Sequence, residues 1–413
     1  MNKKVLLVFH NNFLNNDVGC NSYIFQIAKY LKSKNCKIHL FSCTNIWNNF
    51  ETFEALNRSL NLVDELHLYA PKPDPSSTAR QYKIIHNPDC TISAFGKHIL
   101  TISSTTYEIT EGFASYFGWI QRDTVEFFQK LITENNYDSI NVHYLQMAEL
   151  FRFAKAPKHT KLIYSAQDAL YMMDGYLSGG IPRMLDVLPK EIEIMSYFDE
   201  ILCISNDEKN FFQRLMPDKI FRHYPHALNP RNLPEAEKDI DVLFLGFMNP
   251  HNRDGLIWFI DLVLPILKTK PTIVVCGKVW LSLEKEAPQY VERALLSGVQ
   301  RVDFSEDLDF LFARTRLTIC PLRSGTGMKI KTIDSLARGI PVVSTSWGVD
   351  GFADKNNNGC LVADSPTEFA QRIHLLLDDD SSYKHYSAQA REYFKKYLSL
   401  EANSATLDLA FEL

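Results

Sequence analysis

The sequence has no long hydrophobic run, and this absence limits the kinds of protein that it can encode. No window of the 413 residues approaches the ~20 apolar residues that a membrane-spanning helix needs. Basic runs are also missing, and the net charge of -5 argues against an extended nucleic-acid-binding surface. We therefore expect a protein that binds no nucleic acid and whose membrane contact, if any, is peripheral.

Two further absences concern disulfides and metals. The eight cysteines form no C-x-x-C pair, and Cys203, Cys276 and Cys320 stand in apolar runs typical of buried strands. These features favour reduced thiols in a cytosolic protein, at most associated with the inner face of a membrane. No D-x-D motif lies in a suitable loop, because residues 239–241 open a strand and residues 378–380 lie at a helix end. We therefore expect no metal site.

The length predicts two domains, because 413 residues are too many for one compact core. Strand-like and helix-like segments alternate in both halves, a pattern typical of parallel sheets with helices on both faces. The first half includes a predicted strand at Ser139–His143, and the proline-containing stretch Tyr224–Pro234 is interpreted as a linker. The pattern then restarts with a strand at Asp241–Leu245 and a predicted helix at Gly255–Leu267.

The most informative stretch is residues 320–344, CPLRSGTGMKIKTIDSLARGIPVVS. It predicts the end of a strand, a loop with two glycines, a helix that stops before Gly339, and another strand. This order presents backbone N–H groups and the positive end of a helix dipole to an anion. Lys329 and Lys331 add positive charge, and Asp334 provides a carboxylate for ribose hydroxyls on the same side of the helix as Lys331.

This pattern indicates a nucleoside diphosphate as the ligand. An ordinary glycine loop followed by solvent-exposed lysines, with no ligand, is an alternative interpretation of the same sequence. The motif is neither G-x-x-x-x-G-K-[ST] nor G-x-G-x-x-G.

The motifs resemble the GT-B glycosyltransferases, and within them the family 4-like group (glycosyl transferases group 1). The strongest similarity covers Val302–Asp364, which contains the subgroup pattern P-L-R-x-G-x-G-x-K-x-K followed by A-x-G-x-P-V-V-x-T. A second pattern, F-x-G-x-x-x-P-x-N, begins at Phe244 and ends at Asn252. The resemblance implies an α/β protein with two Rossmann-like domains facing a cleft. Residues 1–225 would form the acceptor domain and 226–392 the donor domain, with a C-terminal helix at about 393–413 crossing back to the first.

The resemblance also implies roles for particular residues. The catalytic residues would be His143, Lys331 and Lys329. The donor-binding residues would be Arg323, Gly325, Thr326, Gly327, Asp334, Gly246 and Asn252. The acceptor-side residues would be Gly19 and Asp168.

Some of these positions have other interpretations. His143 also fits a hydrogen-bonded structural histidine, and Asp168 fits a helix N-cap. Many members of the family carry two glutamates separated by seven residues, where this chain has Thr326 and Asp334. The sequence therefore leaves the donor sugar open.

The function implied by the resemblance is transfer of a sugar from a nucleoside diphosphate sugar of the UDP or GDP type. The acceptor would be a hydroxyl of a glycan, a lipid-linked molecule or a protein. We expect retention at the anomeric carbon and no cofactor or metal, because lysines and a helix dipole can stabilise the departing diphosphate. Two alternatives stay open: a non-catalytic scaffold that binds a nucleotide sugar, and a nucleotide-sugar epimerase that needs no acceptor.

Overall fold

The chain forms two compact units in a computed structural model. The first unit comprises Met1–Cys203, Lys209–His223 and Ala405–Leu413, and the second comprises Ile204–Glu208 and Tyr224–Ser404. Within them the structure describes residues 3–10, 12–14, 19–43, 56–57, 59–69, 99–101, 115–117, 120, 122–174, 181–305 and 307–413. None of the helices described there combines the length and the apolar character needed to cross a membrane.

The first unit contains a parallel sheet with eight strands among its described residues. Their order across the sheet is β4-β3-β2-β1-β5-β6-β7-β8. The run Val5–Val8 is fully buried, as expected for a parallel strand with both faces covered. The strands are β1 (Lys4–Val8), β2 (Lys37–Ser42), β3 (Glu65–Tyr69), β4 (Ile99–Thr101), β5 (Ser139–His143), β6 (Lys161–Ala166), β7 (Glu200–Cys203) and β8 (Ile220–His223).

Helices connect these strands, as the predicted alternation requires. Their amphipathic faces supply the apolar side chains that cover the sheet, including Phe128, Ile132 and Ile194. The described helices are α1 (Gly19–Ser33), α2 (Arg122–Glu134), α3 (Leu145–Ala148), α4 (Leu170–Asp174), α5 (Ile181–Ser196) and α6 (Asn206–Leu215).

The second unit contains another parallel sheet, with the strand order β11-β10-β9-β12-β13-β14 in its described part. Its core joins strand residues such as Val242 and Leu317 to helix residues such as Phe369. The strands are β9 (Ile240–Leu245), β10 (Ile273–Cys276), β11 (Gln300–Val302), β12 (Thr315–Cys320), β13 (Val342–Ser344) and β14 (Cys360–Val362). The helices are α7 (Pro250–Trp258), α8 (Val279–Glu286), α9 (Pro288–Leu296), α10 (Leu308–Ala313), α11 (Ile330–Ala337), α12 (Pro366–Asp378), α13 (Asp380–Tyr393) and α14 (Leu400–Phe411).

One helix differs clearly from its predicted bounds. The expected helix at Gly255–Leu267 begins at Pro250, because the Asn249 side chain caps it by accepting from the backbone N–H of Asn252 at 2.8 Å. It then changes into a π-helical turn at Phe259–Val263. The early start matters for function, because it moves the helix N-terminus to the residues that follow Gly246.

The C-terminal helix ends in the first unit, which confirms the expected return of this helix. The Tyr30 hydroxyl donates to the Asp408 carboxylate at 2.7 Å, and the Lys34 ammonium lies 2.9 Å from it. The unit bounds differ from the expected ones at 204–208 and 393–404, which both belong to the second unit. The second difference arises because the Tyr393 ring stacks on Phe352, with ring centroids 5.2 Å apart.

Two leucines in α14 offer a matched test of this packing. Leu407 is fully buried, whereas Leu409 is 57% exposed. We expect Leu407→Ala to lower the free energy of unfolding by about 2–5 kcal/mol, because it leaves a cavity in the core. Leu409→Ala should change it by less than about 0.5 kcal/mol, because that side chain already faces solvent. Chemical denaturation of both variants measures the difference, and equal losses would contradict the burial of Leu407.

Candidate functional site

The loop between β12 and α11 adopts a conformation that requires its glycines. Gly325 and Gly327 have φ angles of 107° and 67°, in the left-handed region that favours glycine. A Cβ atom at Gly325 would also lie 3.3 Å from the ring of His251. That ring contacts the loop directly, since His251 Nδ1 lies 2.7 Å from the Ser324 hydroxyl. The predicted glycine loop is therefore closely packed against the start of α7.

The Lys329 ammonium organises this loop from one side. Its Nζ donates to the carbonyl oxygens of Gly325, Thr326 and Gly327 at 3.3, 2.9 and 2.7 Å. In a trans peptide the next N–H points opposite to the carbonyl. The N–H groups of Thr326, Gly327 and Met328 therefore face away from Lys329. The outer side of the loop therefore carries backbone N–H donors, which are groups that can bind an anion.

This arrangement gives Lys329 a different place from the one that the sequence suggested. We expected its charge to assist at the diphosphate, but the ammonium is buried on the carbonyl side of the loop. Three carbonyl acceptors satisfy all three of its N–H donors. Lys329 therefore orders the loop, and its assistance at a diphosphate stays a prediction.

A carboxylate occupies the donor side of the loop. Glu208 is buried, and its Oε1 accepts from the Gly327 N–H at 3.3 Å. The sequence analysis missed this residue, because 119 positions separate it from Gly327 and no motif marks it. The Gly327 N–H group therefore donates to a carboxyl oxygen of the same unit.

Helix α11 follows the loop and ends as the sequence predicted. Gly339 has a φ of 67°, and the N–H groups of Gly339 and Ile340 donate to the carbonyls of Leu336 and Ser335 at 3.0 Å each. This pair of bonds is a Schellman motif, which satisfies carbonyls at the helix end. The opposite end of α11 directs its positive dipole towards the glycine loop.

Lys331 lies in the first turn of α11 and contacts two residues of the second motif. Its Nζ donates to Asn252 Oδ1 at 2.5 Å and lies 4.1 Å from the centre of the Phe244 ring. Burial lowers the pKa of Lys331 to about 8, and the nearby charge of Lys329 acts in the same direction. The ammonium is held by one neutral oxygen and one aromatic ring, and a bound phosphate would stabilise its charge.

Asn252 and Gly246 position this contact. Asn252 is buried, and its side-chain amide donates to the Phe247 carbonyl at 3.0 Å, which leaves its oxygen directed at Lys331. A Cβ atom at Gly246 would lie 2.6 Å from the Phe244 ring and 2.8 Å from Val279. Both predicted residues therefore support Lys331.

Asp334 lies past the middle of α11, and its partner is an arginine. Arg338 donates to Asp334 Oδ1 at 3.1 Å and binds Asp309 as well, with its Nε at 2.8 Å. Burial raises the pKa of Asp334, although the Arg338 charge opposes this shift. Only one carboxylate oxygen is used by Arg338 among the described contacts. The other carboxylate oxygen, Oδ2, is the atom on which the predicted contact of Asp334 with a ribose depends.

Two other predicted donor residues have contacts that do not involve Lys331. Arg323 is exposed, donates to the Asp364 carbonyl at 3.0 Å and lies 5.3 Å from the centre of the Trp258 ring. Thr326, which replaces the glutamate of related sequences, offers its carbonyl to Lys329. The side chain of Arg323 is thus oriented by the β14–α12 region, and its predicted phosphate contact stays a prediction.

His143 ends strand β5 in the first unit and is fully buried. The Gln167 amide nitrogen lies 3.3 Å from His143 Nδ1, so Nδ1 accepts and the proton is on Nε2. Nε2 has no hydrogen-bond partner among the described residues. Burial lowers the pKa of His143 to about 3, with a smaller effect from His10, so the ring is a neutral donor near pH 7. The next residue, Tyr144, has a φ of 71°, an uncommon backbone angle for a non-glycine residue.

The two acceptor-side predictions fall on helix starts. Gly19 is the first residue of α1. Asp168 precedes α4, whose first N–H groups, from Leu170 and Tyr171, both donate to the buried Glu191 carboxylate. Glu191 therefore already accepts from N–H groups that an N-cap residue at Asp168 would bind.

Comparison with known proteins shows a family match in the second unit. Residues 239–379 match the family described as Glycosyl transferases group 1. A curated relative, the uncharacterized 44.6 kDa protein in the cps region of Klebsiella pneumoniae, is 28% identical over 213 residues. That match covers 49% of this chain and 54% of the relative, so the chain spans about half the length of that protein.

Solved structures are similar to the whole chain. Sucrose-phosphate synthase from Thermosynechococcus elongatus has a TM-score of 0.69 at 15% identity and covers 99% of this chain and 98% of its own. Anabaena HepE in complex with UDP-glucose has a TM-score of 0.65 at 12% identity and covers 99% of both chains. These similarities, with the two parallel sheets, confirm the α/β GT-B fold that the sequence predicted.

The lowered pKa of Lys331 gives the anion site a pH dependence. Only the ammonium form attracts a phosphate, so the dissociation constant for UDP should rise as Lys331 loses its proton above pH 8. From pH 7 to pH 9 we expect about tenfold weaker binding, because a group with a pKa of about 8 falls from about 90% to about 10% protonated over this range. Isothermal titration calorimetry measures this, and in Lys331→Ala the affinity should be nearly constant over the same range. An equal pH dependence in both proteins would contradict the assignment.

Proposed function

We propose that this protein is a glycosyltransferase that moves a sugar from a nucleoside diphosphate sugar to an acceptor hydroxyl. The observation that supports this most directly is the loop at 324–328, whose N–H groups face away from Lys329 and which leads into α11, where Lys331 lies in the first turn. Such a site fits a diphosphate, because backbone donors and an ammonium both favour negative oxygen. The family match over residues 239–379 supports the same reaction class.

The donor would bind through three sets of contacts in the second unit. The N–H groups of Thr326, Gly327 and Met328 would hold phosphate oxygens, and Lys331 would neutralise their charge. A phosphate at Gly327 would replace the Glu208 side chain, whose Oε1 accepts from that N–H. The second oxygen of Asp334 would accept from a ribose hydroxyl. We propose UDP as the nucleotide, since HepE is similar in fold and its structure contains UDP-glucose.

Chemistry would depend on charge that develops on the leaving group. The bond between the anomeric carbon and the diphosphate oxygen breaks, and the acceptor oxygen forms the new bond to that carbon. The loop donors and Lys331 stabilise the diphosphate without a metal ion. The acceptor proton passes to the leaving phosphate, which permits retention of configuration on one face of the sugar.

His143 would act as a hydrogen-bond donor in this reaction rather than as a base. Its Nδ1 is engaged by Gln167 and its ring is neutral, so Nε2–H can donate to a sugar oxygen but cannot accept a proton. This assignment agrees with the mechanism above, in which no protein base is needed.

A non-catalytic nucleotide-sugar-binding protein is the second candidate. Thr326 favours it, because the side chain that usually contacts the donor sugar is missing. Incubation with UDP-sugars distinguishes the candidates. Slow hydrolysis of the donor, or transfer to added glycans, supports the enzyme. Binding without turnover supports the scaffold, and a changed sugar without acceptor indicates an epimerase.

The phosphate contact can be tested by removing one charge. We expect Lys331→Ala to weaken UDP binding by about one to two powers of ten, because a charge-assisted contact contributes roughly 1.5–3 kcal/mol. Lys285→Ala is the matched control, since Lys285 is exposed on α8. Thermal-shift titration with UDP measures both. Unchanged affinity in Lys331→Ala would disprove the role of this lysine.

The ribose contact can be separated from folding effects. Asp334→Asn keeps the size of the side chain but removes its charge, so we expect weaker UDP binding and little change for inorganic pyrophosphate, which lacks ribose. Asp309→Asn is the control, because Asp309 also binds Arg338. Equal losses for both ligands, or equal losses in both variants, would show that Asp334 acts through Arg338 and the fold.

A further inference from the structure

Two neighbouring strands of the first unit place two histidines and a glutamate together. His39 on β2 is the register partner of Glu65 on β3, and His67 follows two residues later on the same face of the sheet. Both histidines are buried, and the Glu65 side chain is 18% exposed. A short sequence motif does not reveal this set, because β2 and β3 bring together residues that are 26 and 28 positions apart.

The three side chains direct one atom each at a common point. His39 Nδ1 and His67 Nε2 are 3.1 Å apart, and Glu65 Oε2 lies 3.3 Å from the first and 3.5 Å from the second. A tetrahedral zinc ion with bonds of about 2.0–2.1 Å separates its ligand atoms by about 3.3 Å. The observed triangle therefore has the size that one small cation requires.

Hydrogen bonding alone accounts poorly for the surroundings of His39. The Tyr137 hydroxyl lies 3.0 Å from the same Nδ1 atom, so this nitrogen has three polar atoms within 3.3 Å. A ring nitrogen carries either one proton or one lone pair, and it makes one well-directed hydrogen bond. A cation at the centre would serve all of these atoms at once.

We propose that His39, Glu65 and His67 bind one divalent transition-metal ion, and that zinc is the ion whose ligand preferences they match. Two imidazole nitrogens and a carboxylate oxygen are common zinc ligands. The Tyr137 oxygen or a water molecule would complete the tetrahedron. Lys37 holds the other Glu65 oxygen at 3.1 Å, as outer partners of metal-binding carboxylates do.

The position indicates a structural ion. His39 and Glu65 lie in the amino-terminal halves of their strands, whereas His143 lies at the carboxyl end of β5. In parallel sheets ligands bind at the carboxyl ends. The metal would therefore join β2 to β3 and take no part in sugar transfer. This site is independent of the proposed function, and its tests need no activity measurement.

The metal content of the purified full-length chain tests the proposal. We expect elemental mass spectrometry to find about one zinc per chain, since a preformed site with deprotonated ligands retains its ion. His67→Gln and Glu65→Gln should reduce the content at least about tenfold, as loss of a ligand does. His226→Gln, which changes a buried histidine of the second unit, should retain the metal. Zinc that persists in both ligand variants would overturn the proposal.

A second measurement uses the unaltered chain, in case the variants fold poorly. After removal of metal by a chelator, addition of Zn²⁺ should raise the midpoint of thermal unfolding. Addition of Co²⁺ should produce the visible absorption bands of a tetrahedral cobalt site, and Zn²⁺ should abolish them. If the wild-type chain contains no metal and neither ion has an effect, the cluster is a hydrogen-bonded network and the proposal is wrong.

Discussion

The contact between the Lys329 ammonium and three successive carbonyl oxygens determines the rest of the candidate site. It fixes the peptide planes of residues 325–328 and so turns their N–H groups to the outer side of the loop. An ammonium buried without acceptors would cost several kcal/mol, so the loop and the lysine stabilise each other. The positive φ angles of Gly325 and Gly327 allow the chain to bend around one point in this way.

Local sequence signals were sufficient for the elements that carry the site. The apolar run before Cys320 gave β12, and Gly339 with Pro341 gave the end of α11. These features depend on neighbours within a few residues, which is why they could be predicted. The start of α7 was missed because its cap, Asn249, lies ahead of the apolar periodicity that marks the helix.

Other features depend on the tertiary fold and could not be read from the sequence. The Lys329 ammonium points at three carbonyl groups because of the path of the glycine loop. The sequence does not specify the backbone angles of that loop. Glu208 contacts Gly327, and His39 lies beside His67, only because the fold brings together segments that are distant in the sequence. Asp334 lies on α11, but its carboxylate pairs with Arg338, and its contact with a ribose stays a prediction. Side chains with several available partners are decided by packing, and periodicity does not predict that choice.

The return of the last helix to the first unit affects how this chain is made. Strand β8 ends at His223, but the buried residues Leu407 and Phe411 are synthesised only after the whole of the second unit. At 5–20 residues per second, the roughly 180 residues between them take about 10 to 35 seconds to make. During that time the apolar surface that these side chains cover is open to water and to other nascent chains. The first unit is therefore completed after the second, and a ribosome that stalls before Leu407 leaves the first unit with an unfinished core.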